Sequence, residues 1–143
     1  MLKLDLNRVP MPKQEPKARA GNFEEVAIGY TQEQALTEAN RCLQCPKHPC
    51  MEECPVGVDI PDFIRALRES DIPQAVRILK SKNSLPAICG RVCPQETQCE
   101  AACVLAKRGA PIAIGRLERY VADWDLAQSS PPETAPPAPT GKR

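Results

Sequence analysis

The sequence predicts a small all-α domain whose loops wrap around bound metal. Between residues 22 and 126 apolar side chains recur at helical spacing, and no stretch shows period-two alternation or an Asn-Gly hairpin signal. Eight Cys fall in two compact runs. The aromatic side chains are only Phe23, Tyr30, Phe63, Tyr120 and Trp124, so a chain of 143 residues has little apolar area to bury and needs a staple.

Taken in order, residues 1–21 carry Pro10, Pro12 and Pro16 without periodicity and read as an extended arm. Thr31 and Gln34 form a capping box, and Ala35, Leu36, Ala39 and Leu43 make one stripe, which predicts a helix over 32–44. Pro61 suits the first turn of a second helix with Phe63, Ile64 and Leu67 inward, and Pro73 opens a third that ends near Asn83. A short helix is expected from Glu96 to Leu105, with Cys99 and Cys103 at i and i+4. The last runs from Ile114 to about Leu126, with Ile114, Leu117, Val121 and Trp124 on one side. Residues 127–143 hold five Pro and no large apolar side chain, so they read as a semi-rigid linker to something longer.

Nineteen Lys plus Arg against 18 Asp plus Glu leave the net charge at +1, which argues against a nucleic-acid partner. No segment approaches the roughly eighteen apolar residues of a membrane span, and the N-terminus lacks a secretory apolar core. The expected location is the cytoplasm, where Cys-rich runs bind metal or carry electrons more often than they form disulfides.

The runs are Cys42-x2-Cys45-x4-Cys50-x3-Cys54-Pro55 and Cys89-x3-Cys93-Pro94-x4-Cys99-x3-Cys103. A close C-x2-C pair on a turning backbone supplies two thiolates to an iron–sulfur cube. The fourth Cys of such a run, followed by Pro, often ligates the other cluster in two-cluster ferredoxins. Cys54-Pro55 occupies that position and Cys93-Pro94 repeats it, so two runs exchanging ligands would tie the chain around two clusters. Zinc sites favour paired close spacings or Cys/His mixtures, whereas here there is one C-x2-C and one histidine, His48, between prolines and expected in solvent. A nucleophilic Cys would need a His partner and has only His48. Glu118 lies along the apolar stripe of the last helix, while Arg116, Arg119 and Asp123 face the other way as a solvated surface should. Helical spacing alone favours a Glu at the stripe's edge paired with an Arg; the other reading is a carboxylate aimed at buried metal.

At these residues the chain resembles a known family. ANRCLQC, CPVGVDIPDFI, NSLPAICGRVCPQETQCEAACVL and PIAIGRLERYVADW are similar to the N-terminal iron–sulfur domain of glutamate synthase small (beta) subunits. Related domains occur in dihydropyrimidine dehydrogenase and in the large subunit of a bifurcating NADH–ferredoxin:NADP transhydrogenase. The similarity runs from about Arg8 to Trp124. It implies an α-helical, ferredoxin-like domain with two 4Fe–4S clusters, Cys42, Cys45, Cys50 and Cys103 holding one and Cys54, Cys93, Cys99 and Glu118 the other. Cys89 is then a non-ligand beside a cluster. The resemblance also implies an electron relay between a flavin and a partner subunit, such as a glutamate synthase large subunit. FAD and NADPH are expected only in a C-terminal part beyond this sequence, which carries no G-x-G-x-x-G. Gly90 and Gly115, beside the ligand segments, suit close backbone approach to a cluster or a turn. The rival readings are the transhydrogenase subunit and, from another class, a structural zinc or apo docking module.

Overall fold

A computed structural model describes residues 5–128; residues 1–4 of the expected arm and 129–143 of the expected linker lie outside the described residues. Seven α-helices follow in order: α1 (Pro16–Arg19), α2 (Gln32–Asn40), α3 (Pro49–Glu52), α4 (Ile60–Arg68), α5 (Ile72–Lys80), α6 (Pro86–Val92) and α7 (Ile114–Gln128). Single 3₁₀ turns cover Gln95–Thr97 and Val104–Lys107. Among the described residues there is no β-strand, only one antiparallel bridge between Lys13 and Ala27. No helix among them is long and apolar enough to cross a membrane.

Helix α2 begins as the capping box dictates: Gln34 N–H donates to Thr31 Oγ1 and Thr31 N–H donates back to Gln34 Oε1. It ends at Asn40, four residues before the expected boundary, and Leu43 is exposed instead of completing the stripe. The reason is local. Cys42 and Cys45 need a turning backbone, and Gln44 adopts φ 49° in the left-handed region, where helix cannot continue. Pro61 and Pro73 occupy the first turns of α4 and α5, and Asp71 caps α5 by accepting from Gln74 N–H at 2.9 Å.

Helix α6 packs on α7 and α4 on α5, with α2 and α7 joining the two pairs. Phe63, Ile64, Leu67, Leu79, Leu105, Leu117 and Val121 are fully buried at the centre. Gly90 permits the closest approach: a Cβ there would lie 2.6 Å from the Arg119 backbone nitrogen. At Gly115 a side chain would collide with Gln95. Both glycines therefore serve packing between protein segments.

The N-terminal segment is stitched to this body. Glu38, fully buried, accepts from Val9 N–H at 2.8 Å, Ala113 N–H at 2.8 Å and the Arg41 guanidinium at 2.6 Å. Arg41 in turn donates to the carbonyls of Asp5 and Ala110. Arg8 donates to Glu100 at 2.5 Å, and Val9 and Met11 pack on the core. This covering overturns the expected solvated face of α7. Arg119 is 5% exposed and donates to Ala27 O, Glu25 and Asp123; Arg116 donates to Val9 O.

The expected helix over 96–105 is absent. Cys103 is extended, Gln98 has φ −123° and ψ −116°, and 3₁₀ turns flank them. An i, i+4 pair shares one helix face, and these two thiols go to different places.

Candidate functional site

Two cavities flank α4, whose Ile60 lines both. The first, about 420 Å³, is ringed by Cys42, Cys45, Cys50 and Cys103. The second, about 510 Å³, is ringed by Cys54, Cys89, Cys93, Cys99 and Glu118. Cys103, distant in sequence, thus joins the thiols of the first run. Cys54, only a helical turn beyond Cys50, joins those of the second.

Backbone geometry produces this sorting. Left-handed Gln44 and His48 fold the Cys42–Cys50 loop back on itself, and α3 carries Cys50 to the first cavity. After Cys54, Gly57 at φ 66° reverses the chain into α4. Beyond α6 the chain places Cys93 and Cys99 in the second cavity, and extended Cys103 leads away to the first. His48 is half-buried on the first cavity's wall, not in open solvent.

The cavities differ in chemistry. Ile60, Ile64, Leu105, Ile112 and Ile114 make the first largely hydrocarbon. Burial there pushes the Cys50 thiol up to about 12 and raises Cys42, whose sulfur receives Gln44 Nε2 at 3.5 Å. Asn83, Gln95 and Gln98 add polar groups to the second, where Gln98 Oε1 accepts from the Cys93 thiol at 3.1 Å. Burial, and then the neighbouring Glu100 carboxylate, push Cys99 up to about 12.

Glu118 is 9% exposed and burial raises its carboxyl to about 7, an effect opposed by the Asn83 hydrogen bond. Asn83 Nδ2 donates to Oε1 at 2.8 Å. The carboxylate makes no ion pair with an Arg, and Oε2 has no hydrogen-bond partner among the described residues. Cys89 is half-buried on the same wall, its thiol 3.6 Å from Asn83 Oδ1. Sequence reasoning missed Asn83, Gln95, Gln98 and Gln44, because none belongs to a periodic stripe or a spaced motif.

Burial disfavours these thiols as anions, a cost that a bound metal cation would offset by binding thiolate directly. Among the described residues no group of three or more His, Cys, Asp or Glu side chains could hold a single metal ion. The donors lining each cavity are mostly sulfur, and all-thiolate or thiolate-rich sets suit iron–sulfur chemistry.

Residues 19–130 match the family model of dihydropyrimidine dehydrogenase domain II, 4Fe–4S cluster. The chain belongs to this family. It is an iron–sulfur electron-transfer domain of oxidoreductases. It is 36% identical over 140 residues to the glutamate synthase [NADPH] small chain of Escherichia coli, covering 98% of this chain and 30% of that protein. The corresponding small chain of Azospirillum brasilense is 37% identical over 126 residues, covering 85% of this chain and 26% of the relative. The NAD-dependent dihydropyrimidine dehydrogenase subunit PreT of E. coli is 39% identical over 103 residues, 72% of this chain and 25% of that one. The chain spans less than a third of the length of these relatives.

Proposed function

We propose that the chain holds two 4Fe–4S clusters and serves as the electron-transfer domain of an NAD(P)H-dependent flavoprotein oxidoreductase of the glutamate synthase small-subunit kind, relaying electrons between a flavin and a partner subunit. The observation that carries this reading is the sorting of donors from both runs into two rings. Cys42, Cys45, Cys50 and Cys103 would hold one cluster; Cys54, Cys93, Cys99 and Glu118 would hold the other, with Cys89 unligated.

When bound, the clusters supply one-electron donor and acceptor chemistry, at potentials that ligand charge, sulfur hydrogen bonds and burial adjust. The chain's own residues shape that environment. Ile60, Ile64, Ile112 and Ile114 exclude water from the first cavity. Gln44 donates to the Cys42 sulfur, an interaction that favours added negative charge. The free Oε2 of Glu118 supports a carboxylate donor in the second cavity.

On this reading the core spans residues 22–126, residues 1–21 form an arm before it, and 127–143 links it to a flavin- and NAD(P)H-binding part of the same polypeptide. A glutamate synthase large subunit would be the partner, and eight free thiols suit a reducing cytoplasm.

Anaerobic reconstitution followed by iron and sulfide assay tests the reading. About eight iron and eight inorganic sulfide per chain are expected, the stoichiometry of two four-iron clusters. Stoichiometric zinc without sulfide would overturn it.

A further inference from the structure

The second cavity presents five donors where a cluster takes four: Cys54, Cys93, Cys99, Glu118 and Cys89. Iron in a sulfide cluster takes soft thiolate readily, so chemistry alone would favour Cys89 over a carboxylate. Something must hold the choice the other way.

Asn83, 6% exposed between α5 and α6, touches both contenders. Its Nδ2 donates to Glu118 Oε1 at 2.8 Å, and its Oδ1 accepts from the Cys89 thiol at 3.6 Å. A third contact determines which end of the amide is which. The Leu85 backbone N–H donates to Oδ1 at 3.0 Å, and a backbone N–H can only donate, so the atom facing it must be oxygen. The NH₂ end is thereby committed to Glu118, which must accept. The oxygen end faces Cys89, whose thiol donates to it at 3.6 Å.

We propose that Asn83 is a positioning residue that selects oxygen over sulfur as the fourth ligand of the second cavity. It holds Glu118 by Oε1, leaving Oε2 for the metal, and retains Cys89 as a hydrogen-bonded thiol. The backbone of Leu85 sets the polarity of the choice. This inference rests on the cluster reading above. If Asn83 is removed, Cys89 replaces Glu118: an iron–sulfur bond forms, the iron–oxygen bond breaks, and the thiol proton passes to solvent.

The test compares iron content and electron paramagnetic resonance of the reconstituted full chain in single and double variants. Cys89→Ser alone should cost no iron. Asn83→Leu alone should keep both clusters, with the spectrum and midpoint potential of one of them shifted. Asn83→Leu combined with Cys89→Ser should lose about half the iron, one of two four-iron clusters. A dependence on Cys89 that appears only without Asn83 is something a merely structural role would not create. Asn83→Ala removes the contacts to both Glu118 and Cys89 with a smaller side chain, so it should create the same dependence even if Asn83→Leu fails to fold. The proposal is overturned if Cys89→Ser remains harmless in both backgrounds, or if Asn83 variants lose the cluster whether or not Cys89 is present. Failure of the underlying reading looks different: with Asn83 intact, Glu118→Ala would leave spectra unchanged while Cys89→Ser lost iron.

Discussion

The two cavities use the same thiol chemistry in opposite surroundings. The first is walled by Ile60, Ile64, Leu105, Ile112 and Ile114, and Glu38 and Arg41, an ion pair sealed from water, hold Ala113 beside that wall. The second admits Asn83, Gln95, Gln98 and Glu118, and is braced from outside by Arg91 and Arg119 reaching Glu25 and Asp123 near the surface. The apolar wall offers ligand charge little beyond the Gln44 amide on Cys42, whereas polar walls can choose among ligands and orient them. Rigidity thus comes from the core on one side and from hydrogen-bond direction on the other.

Breaking one ring should leave the other standing, and this is the largest effect expected. Cys103→Ala should remove about half the iron while the second ring keeps its spectrum, since the donors are not shared. Iron counts with electron paramagnetic resonance check it, and loss of both clusters would mean that the cavities are one cooperative unit.

Next in size is the buried brace of the first cavity. Glu38→Ala strands the Arg41 guanidinium and two backbone N–H groups, and should cost about 3–5 kcal/mol. Urea unfolding of the loaded protein measures this, with the arm's amides exchanging earliest.

Smaller still is a paired trimming on α4, where Ile64 faces the first cavity and Phe63 the second. Ile64→Val should cost about 0.5–1.5 kcal/mol and perturb only the first cluster's midpoint potential. Phe63→Leu should perturb only the second. Redox titration separates them, and identical shifts from both would erase the distinction between the cavities.

The mildest effect is acid sensitivity of the outer brace. Arg91 hydrogen-bonds Glu25 and, with the charge of Arg119, holds its carboxyl below the ordinary 4.5; Asp123 faces the same two guanidiniums. A depressed folded value contributes stability above the unfolded one and loses it as pH falls through the folded one. Acid should therefore loosen residues 25–28 against α6 and α7, with Glu25→Gln reducing that pH dependence. Amide exchange across pH 5 to 3 follows it, roughly the window below the unperturbed value.

Much of this was legible in the sequence. The capping box at Thr31, the helix-opening Pro61 and Pro73 and the stripe of α7 are local signals, and the structure carries them out. Helix α6 was not, because Pro86 to Val92 is short, contains Gly90 and presents no apolar period. The 96–105 segment mimicked a helix through the spacing of Cys99 and Cys103, a period that two separate cavities also satisfy. Arg119 read as solvated because periodicity describes α7 but not the N-terminal segment lying over it. Of the residues lining the cavities, the thiols stood out by spacing. For Glu118, helical spacing alone favoured an edge residue paired with an Arg, and only the family resemblance pointed to a ligand. The amide side chains around them are positioned by tertiary structure alone.

The crossing of donors between the cavities also bears on how the protein is made. A ribosome releases Cys42, Cys45 and Cys50 long before Cys103, and Cys54 long before Cys93, Cys99 and the α7 carboxylate. Chains grow from the N-terminus at only about 5–20 residues per second, so early thiols wait seconds for their companions. Neither ring can close until most of the domain has emerged. With the donor sets proposed above, metal delivered before both runs had emerged would meet only a partial set.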